Sequence, residues 1–195
     1  MEAAKLHRLI QRIDEFNTQD PNKVRVEDFE YPCELIYSKH LTEWVQKLNP
    51  HPSPALMIAS RGQHIGRWLI PRNKYPQDRS GYLRWREELK KFHSNKIVDF
   101  MKAESCPVEL IEEVEKIILK KDFRNNPDGQ TVEDALCLVF FETQFHELRQ
   151  KTSAEKMREV VKKTWAKMSS HAQGFFTSLN LNADDREFIE QSLRA

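Results

Sequence analysis

Apolar residues recur at every third or fourth position along almost the whole of this 195-residue chain. That spacing places their side chains on one face of an α-helix, because an α-helix completes a turn every 3.6 residues. The alternation of apolar and polar residues that marks β-strands is almost absent, and only 5 residues are glycine. The sequence therefore predicts an all-α fold, organised as a single-domain helical bundle.

Turn-forming clusters of proline, asparagine and glycine divide the chain into segments. The predicted helices cover about residues 2–17, 33–48, 54–68, 81–102, 107–121, 131–150, 153–169 and 183–193, with a short apolar segment around Phe175 and Phe176. Between the third and fourth helices, residues 70–80 hold two prolines and three basic residues. A loop of this length in a compact domain is often functional. We expect one domain over residues 1–195, in which C-terminal helices (151–195) pack on a core of about residues 31–150.

Composition argues against several classes of protein. No apolar run approaches the roughly 20 residues that a membrane-spanning helix needs, and the N-terminal residues lack the apolar core of a signal peptide. A net charge of +1 argues against strong non-specific binding to nucleic acid. The three cysteines, Cys33, Cys106 and Cys137, form no CxxC pair, which argues against a disulfide framework and a thiolate zinc site. We expect an intracellular, cytoplasmic protein with no membrane partner.

Three histidines and one aspartate interrupt the apolar faces of four predicted helices. They are His40, His64, His93 and Asp134. A buried polar side chain needs a partner, so one shared ion or ligand would satisfy several of them together. Imidazole nitrogen and carboxylate oxygen suit divalent zinc, iron, manganese or nickel. The alternative is that each histidine is a hydrogen-bonded core residue and that Asp134 caps its helix.

Basic and aromatic residues are concentrated around His64. Arg61 and Arg67 flank it on the predicted helix surface, and further arginines follow downstream. Arginine is suited to bidentate binding of phosphate or carboxylate, which indicates a pocket for an anionic small molecule. The interleaved aromatic residues would also suit stacking on a nucleobase. The alternative is a solvated basic face paired with Glu87 and Glu88. The predicted substrate-binding residues are Arg61, Arg67, Trp68, Arg72, Tyr75, Arg79 and Arg84.

The chain has no glycine-rich phosphate loop, GxSxG elbow, HExxH motif or kinase motif. Catalysis by a serine or cysteine nucleophile is therefore not indicated. The remaining chemistry is the attack of metal-activated water on an anionic ester, with arginines holding the negative charge.

Several short segments resemble one protein family. They are Tyr37–His40, Gln63–Trp68, Ile70–Arg72, Tyr82–Arg86, Phe92–His93 and Glu133–Ala135. These segments closely resemble the family catalogued as domain of unknown function 4202, and the resemblance covers nearly the whole chain. The family name implies no activity.

The order of the helices and histidines also resembles the HD-domain superfamily of metal-dependent phosphohydrolases. The resemblance implies an HD-like core in which His40, His64 and Asp134 would hold one divalent metal, with His93 as an additional ligand. Ile65 stands where the superfamily places the aspartate that follows the second histidine. This departure puts metal binding in doubt. Lys120 stands near the place of a further histidine in two-metal members, which argues against a two-metal site.

Two main hypotheses follow. The first is an HD-like, metal-dependent hydrolase of a small phosphorylated or nucleotide-like substrate, with Glu43 as an acid or base one helical turn beyond His40. The second is a non-catalytic HD-like module that binds an anionic ligand, which Ile65 and the excess of arginine favour. A third possibility is a protein-interaction domain that uses the C-terminal helices, where Phe175 and Phe176 suit either a partner surface or the core.

Overall fold

The computed structural model describes residues 1–194 and confirms the all-α class. The helices in this range are α1 (Ala3–Asn17), α2 (Cys33–Leu48), α3 (Pro54–Gly62), α4 (Arg79–Ala103), α5 (Val108–Ile118), α6 (Pro127–Thr143), α7 (Phe145–Gln150), α8 (Ala154–Trp165), α9 (Ser170–Gly174) and α10 (Ala183–Arg194). None of these helices is long and apolar enough to cross a membrane.

A short antiparallel hairpin, which the sequence pattern did not predict, connects α1 to α2. Its strands are β1 (Lys23–Val26) and β2 (Phe29–Pro32), and Val26 is paired with Phe29. Each strand has only four residues, so the alternation of apolar and charged residues is too short to stand out from the helical pattern around it.

The core lies where α2 packs on α3 and α6, and where α3 packs on α5. Trp44, Leu56 and Phe141 are fully buried there. The C-terminal helices close this core, since the ring of Phe176 packs edge-on against Phe141 at a centroid distance of 6.3 Å. Phe176 is only 7% exposed, and Phe175 packs edge-on against Trp44. Both phenylalanines therefore belong to the packing of the domain.

Helix α3 ends at Gly62, six residues before the predicted end. The chain then turns through residues 63–66, and Gly66 adopts a left-handed conformation with φ of 65°. A Cβ atom at Gly66 would lie 2.9 Å from the ring of Phe92, so glycine is required both for the backbone angle and for the close approach. His64 consequently lies in a turn, and the predicted continuous helical surface of Arg61, His64 and Arg67 is wrong.

The predicted loop before α4 is ordered by short 3₁₀ turns at Arg67–Leu69 and Arg72–Lys74. Helix α4 begins two residues earlier than predicted because Asp78 caps it, with its Oδ1 accepting a hydrogen bond of 2.7 Å from the Gly81 N–H. A Cβ atom on Gly81 would lie 2.1 Å from the carbonyl oxygen of Pro76. The loop therefore folds back tightly against the first turn of α4.

Candidate functional site

A cavity of about 390 Å³ is lined mainly by α4, α6 and α8, with the turn after α3 at one side. Its walls contain one carboxylate, Glu133, and five cationic side chains, which are Arg67, Arg86, Lys90, Lys120 and Lys167. Further along α6 and α8 the wall is apolar and is formed by Leu136, Phe140 and Val160. A small cavity with this excess of cations favours an anionic occupant.

Each of the three lysines already has a carboxylate partner. Lys120 pairs with Glu133, and Lys167 Nζ lies 3.5 Å from the same carboxylate. Lys90 is paired with Glu87 at 2.5 Å. Burial alone would raise the pKa of Glu133, but Lys120 and Lys167 hold it below its usual value, so Glu133 is ionised. These pairs reduce the positive charge of the cavity without cancelling it.

The two arginines are less fully paired than the lysines. Arg67 Nε lies 3.7 Å from Glu34, and its guanidinium lies 4.8 Å above the ring of Trp85. Arg86 has no carboxylate within 4.0 Å among residues 1–194, and its Nη1 donates a hydrogen bond of 3.3 Å to the Tyr82 hydroxyl. Arg86 is therefore the cation in this cavity that is most available to a bound anion.

Lys120 occupies a backbone position that usually favours glycine. It follows α5 with φ of 56°, and its N–H donates to the Ile117 carbonyl at 3.0 Å. The next N–H, of Lys121, donates to the Lys116 carbonyl at 3.0 Å. These two bonds form a Schellman motif, in which the left-handed residue is most often glycine. A lysine here has an unfavourable backbone conformation, and its side chain points into the cavity toward Glu133.

His64 and His93 are the two predicted ligands that the structure brings together, with ring centroids 5.9 Å apart. His64 also stacks on Tyr37 at 4.4 Å. Burial lowers the pKa of His93 to about 4 and that of His64 well below its usual value, and the charge of Arg67 adds to both shifts. Both imidazoles are therefore neutral at pH 7, so the positive charge of the cavity comes from lysine and arginine.

Two further polar side chains, Glu34 and Gln63, lie near His64. Glu34 Oε2 lies 3.7 Å from His64 Nδ1, and burial raises the pKa of this carboxyl to about 7 although Arg67 opposes the shift. Gln63 lines the cavity, is 3% exposed, and has a buried Oε1 with no hydrogen-bond partner in residues 1–194. Gln63 in the turn after α3 therefore has an enclosed amide oxygen whose hydrogen-bonding capacity is not used.

His40 and Asp134 have structural partners away from His64 and His93. His40 Nε2 is 2.8 Å from Glu142, which also accepts a hydrogen bond of 2.7 Å from the Trp44 indole. Asp134 accepts hydrogen bonds of 2.8 and 2.5 Å from the backbone and hydroxyl of Ser169. Asp134 therefore joins α6 to the start of α9. It does not cap α6, which begins four residues earlier than predicted because Asn126 caps it.

The four residues predicted to share an ion are consequently not gathered in one place. Residues 1–194 contain no group of three His, Cys, Asp or Glu side chains that could hold a metal ion. The predicted acid or base, Glu43, is 63% exposed and lies 3.7 Å from His40, outside the cavity lining. His40, His93 and Asp134 instead make hydrogen bonds to different partners in different parts of the fold.

Of the predicted substrate-binding residues, only Arg67 lines the cavity. Arg61 is paired with Asp14 of α1 at 2.7 Å, and Trp68 packs on Phe16. Arg72 donates hydrogen bonds to carbonyl groups of its own loop, at Tyr75 and Asp78. The remaining predicted residues, Tyr75, Arg79 and Arg84, also lie outside the cavity lining.

The cations that the prediction missed are Arg86, Lys90, Lys120 and Lys167. Arg86 was detectable, because it lies seven residues before the inward His93 and therefore on the same face of α4. Lys120 and Lys167 follow the ends of α5 and α8, where helical spacing carries no information on the direction of a side chain.

The sequence model of the family described as domain of unknown function (DUF4202) matches residues 7–189. The match covers most of the chain, which therefore belongs to this family, as the resemblance of its short segments predicted. No curated protein and no solved structure matches the chain. The resemblance to the HD-domain superfamily is not confirmed by these comparisons.

Proposed function

We propose that this member of the DUF4202 family binds a small phosphorylated molecule in the cavity between α4, α6 and α8. The observation that carries the proposal is the charge of the walls, where five cations face one carboxylate and Arg86 has no carboxylate partner. The volume of about 390 Å³ is in the range of small-molecule sites. An excess of positive charge in a partly open cavity raises the local concentration of anions and favours a bound one.

A phosphate group suits this cavity better than a carboxylate. The lining holds five cations and one carboxylate, and an excess of positive charge remains after the neighbouring Glu34 and Glu87 pair with Arg67 and Lys90. A phosphate monoester carries up to two negative charges on three acceptor oxygens. Arginine binds such a group through two parallel N–H donors. The neutral imidazoles of His64 and His93 add hydrogen-bonding groups to the polar wall without adding charge.

Metal-dependent hydrolysis, which the HD-domain resemblance implied, requires His40, His64 and Asp134 to reach one ion. The side chains of His40 and Asp134 are hydrogen-bonded to Glu142 and Ser169, so the residues present do not fit a shared metal. We therefore favour binding without turnover. Elemental analysis of protein purified without chelator tests this preference. One metal per chain that is lost in the His64→Ala variant would reverse it.

A matched pair of arginine variants tests the proposed binding site. Arg86 lines the cavity, whereas Arg84 lies two residues away on the same helix, in a shallow outer groove. Isothermal titration with methyl phosphate and glycerol 3-phosphate should show about 10-fold or greater weakening in Arg86→Gln, because a hydrogen bond to a charged group contributes about 1.5–3 kcal/mol.

The control variant, Arg84→Gln, should bind as the wild type does. Equal weakening in the two variants would mean that any binding is a property of the outer surface. No binding of either phosphate ester to the wild-type protein, by titration or by thermal stabilisation, would refute the proposed function.

A further inference from the structure

We infer a further class of ligand for the same cavity, a single-stranded nucleic acid whose terminal phosphate enters it. This inference rests on the proposed function, because the terminal phosphate would occupy the site described above. The observation that carries it is a row of cations that continues from the cavity onto the surface of the protein. An aromatic side chain, Tyr82, lies where the cavity meets that surface.

Positive charge is concentrated in residues 66–86, which comprise the loop before α4 and the first two turns of α4. This segment holds six of the 31 lysine and arginine residues of the chain but only one of its 30 acidic residues. The acidic residue is Asp78, which caps α4 by accepting a hydrogen bond from the Gly81 N–H. The net charge of +1 for the whole chain is therefore an average over a locally basic surface and a net acidic remainder. Such a surface attracts a polyanion.

Tyr82 connects this surface to the cavity. It lines the cavity and is 42% exposed, so its ring lies at the mouth. The guanidinium of Arg86, inside the cavity, lies 5.9 Å from the ring centroid, and that of Arg72, in the loop, lies 6.0 Å from it. Arg79 is exposed and lies on the same face of α4 as Arg86, two turns earlier. The cations therefore continue from the cavity past Tyr82 to the outer surface.

The cations outside the cavity are available to a ligand. Arg72, Lys74 and Arg79 have no carboxylate within 4.0 Å among residues 1–194. Arg72 donates hydrogen bonds to carbonyl groups of its own loop, which hold its guanidinium in place without neutralising it. From Arg79 to Arg86 the helix rises about 10 Å, which is longer than one phosphate group. These three residues and Arg86, which we call the basic row, therefore suit a ligand with several phosphates.

A single-stranded nucleic acid matches both the basic row and the aromatic ring. Sites for single strands combine cations that follow the backbone with aromatic side chains on which bases stack. A duplex has no unstacked base to place on Tyr82. An acidic peptide would match the charge but has no terminal phosphate for the cavity. An anionic membrane also matches the charge, and the experiment includes it as an alternative.

The experiment measures fluorescence anisotropy of a deoxythymidine strand of about ten nucleotides, within the size range of single-strand sites. The strand carries a phosphate at its 5′ end, at its 3′ end or at neither, with the dye at the opposite end. We expect one of the phosphorylated strands to bind about 10-fold more tightly than the unphosphorylated one, the factor for one hydrogen bond to a charged group. Equal binding of all three strands would overturn the inference.

Two further outcomes separate this inference from the proposed function. If methyl phosphate binds and no strand binds more tightly than it does, the inference is wrong and the proposed function stands. If neither methyl phosphate nor glycerol 3-phosphate binds, the proposed function is refuted. Tighter binding to phosphatidylserine vesicles than to any strand would overturn the nucleic-acid class.

Variants of exposed cations test the basic row. Lys74→Gln and Arg79→Gln should each reduce the slope of log K against log salt concentration by about 0.7, the value for one contact with a single-strand phosphate. Arg84→Gln is the matched control, because Arg84 lies on a different face of α4, in the outer groove, and it should keep the wild-type slope. Equal slopes for Arg79→Gln and Arg84→Gln would overturn the basic row as the binding surface.

Two variants at the mouth of the cavity test the end of the strand. Arg86→Gln should remove the preference for a terminal phosphate, and a retained preference would overturn the placement of that phosphate in the cavity. Tyr82→Leu should weaken binding of the strand about 10-fold through the loss of base stacking, and Tyr82→Phe, which keeps the ring, should recover most of that loss. Equal affinities for the leucine and phenylalanine variants would overturn the stacking role.

Discussion

Replacing Lys120 by glycine and, separately, by alanine distinguishes the effect of its backbone conformation from that of its side chain. Both variants lose the ammonium group that pairs with Glu133, so the difference between them depends on the backbone alone. At φ of 56°, a residue with a Cβ atom costs about 1–2 kcal/mol relative to glycine. The greater freedom of glycine in the unfolded chain offsets about 0.4–1 kcal/mol of this.

Lys120→Gly should therefore be more stable than Lys120→Ala by about 1 kcal/mol, and its Tm should be higher by about 2–4 °C. Denaturant unfolding followed by circular dichroism measures the difference. Lys116 provides the matched control, because it lies inside α5 and is exposed. There the order should reverse, with alanine more stable than glycine by about 0.5–1 kcal/mol.

The result that would refute this reasoning is a Lys120→Ala variant as stable as Lys120→Gly. The left-handed position would then carry no strain, and the retention of lysine would need no functional explanation. If the predicted order holds, both Lys120 variants should also bind glycerol 3-phosphate more weakly than the wild type. Lysine at this position would then be less favourable than glycine for the backbone but required for the ligand.

Three further predictions concern pH, the C-terminal helix and the turn before α4. The pKa of Glu34 is raised from an ordinary 4.5 to about 7, so the folded state holds this proton more tightly than the unfolded state, and the free energy of unfolding of the wild type falls as pH rises from about 4.5 to 7. Glu34→Gln should lose this pH-dependent part of the stability. A difference in free energy of unfolding between variant and wild type that does not change with pH would contradict the prediction. Asp185 is 2% exposed and accepts hydrogen bonds from three side chains, so Asp185→Asn should lower the free energy of unfolding by about 1–3 kcal/mol, whereas the exposed Asp184→Asn should have little effect. Gly81→Ala should lower Tm because its Cβ atom would overlap the Pro76 carbonyl. In the control, Gly174→Ala, the added Cβ atom has open space around it, so Tm should stay unchanged or rise. Equal Tm values for these two variants would contradict the close approach of Pro76 to Gly81.

The helices and the inward position of His93 could be predicted from the sequence because both depend on local spacing. The same rule extends from His93 back to Arg86, so part of the cation cluster was within reach of the sequence pattern. The end of α3 was not, since it depends on contact between Gly66 and Phe92, which are 26 residues apart. Without that turn, His64 was assigned to a helix and to the wrong neighbours.

The predicted metal ligands show why an inward polar residue does not identify its partner. Asp134 was correctly expected to be buried, but its partner Ser169 lies 35 residues further along the chain. His40 likewise meets Glu142 across 102 positions. Helical spacing indicates which face of a helix a residue occupies. It does not indicate which other helix covers that face, and this decides whether a polar group binds an ion or stabilises the fold.

Glu133 lies in the cavity as an internal competitor for the phosphate group that we propose as the ligand. This carboxylate neutralises part of the charge of Lys120 and Lys167, so the fold does not depend on a bound anion to hold these cations together. An incoming phosphate must share the two lysines with Glu133 or displace it. Part of the free energy that the phosphate gains from the lysines is therefore offset by the lysine–Glu133 interaction that it replaces. This offset lowers the affinity for the phosphate and speeds its release. Such a site is half-filled at a higher concentration of ligand than a site with the same cations and no carboxylate, and its occupancy follows changes in that concentration.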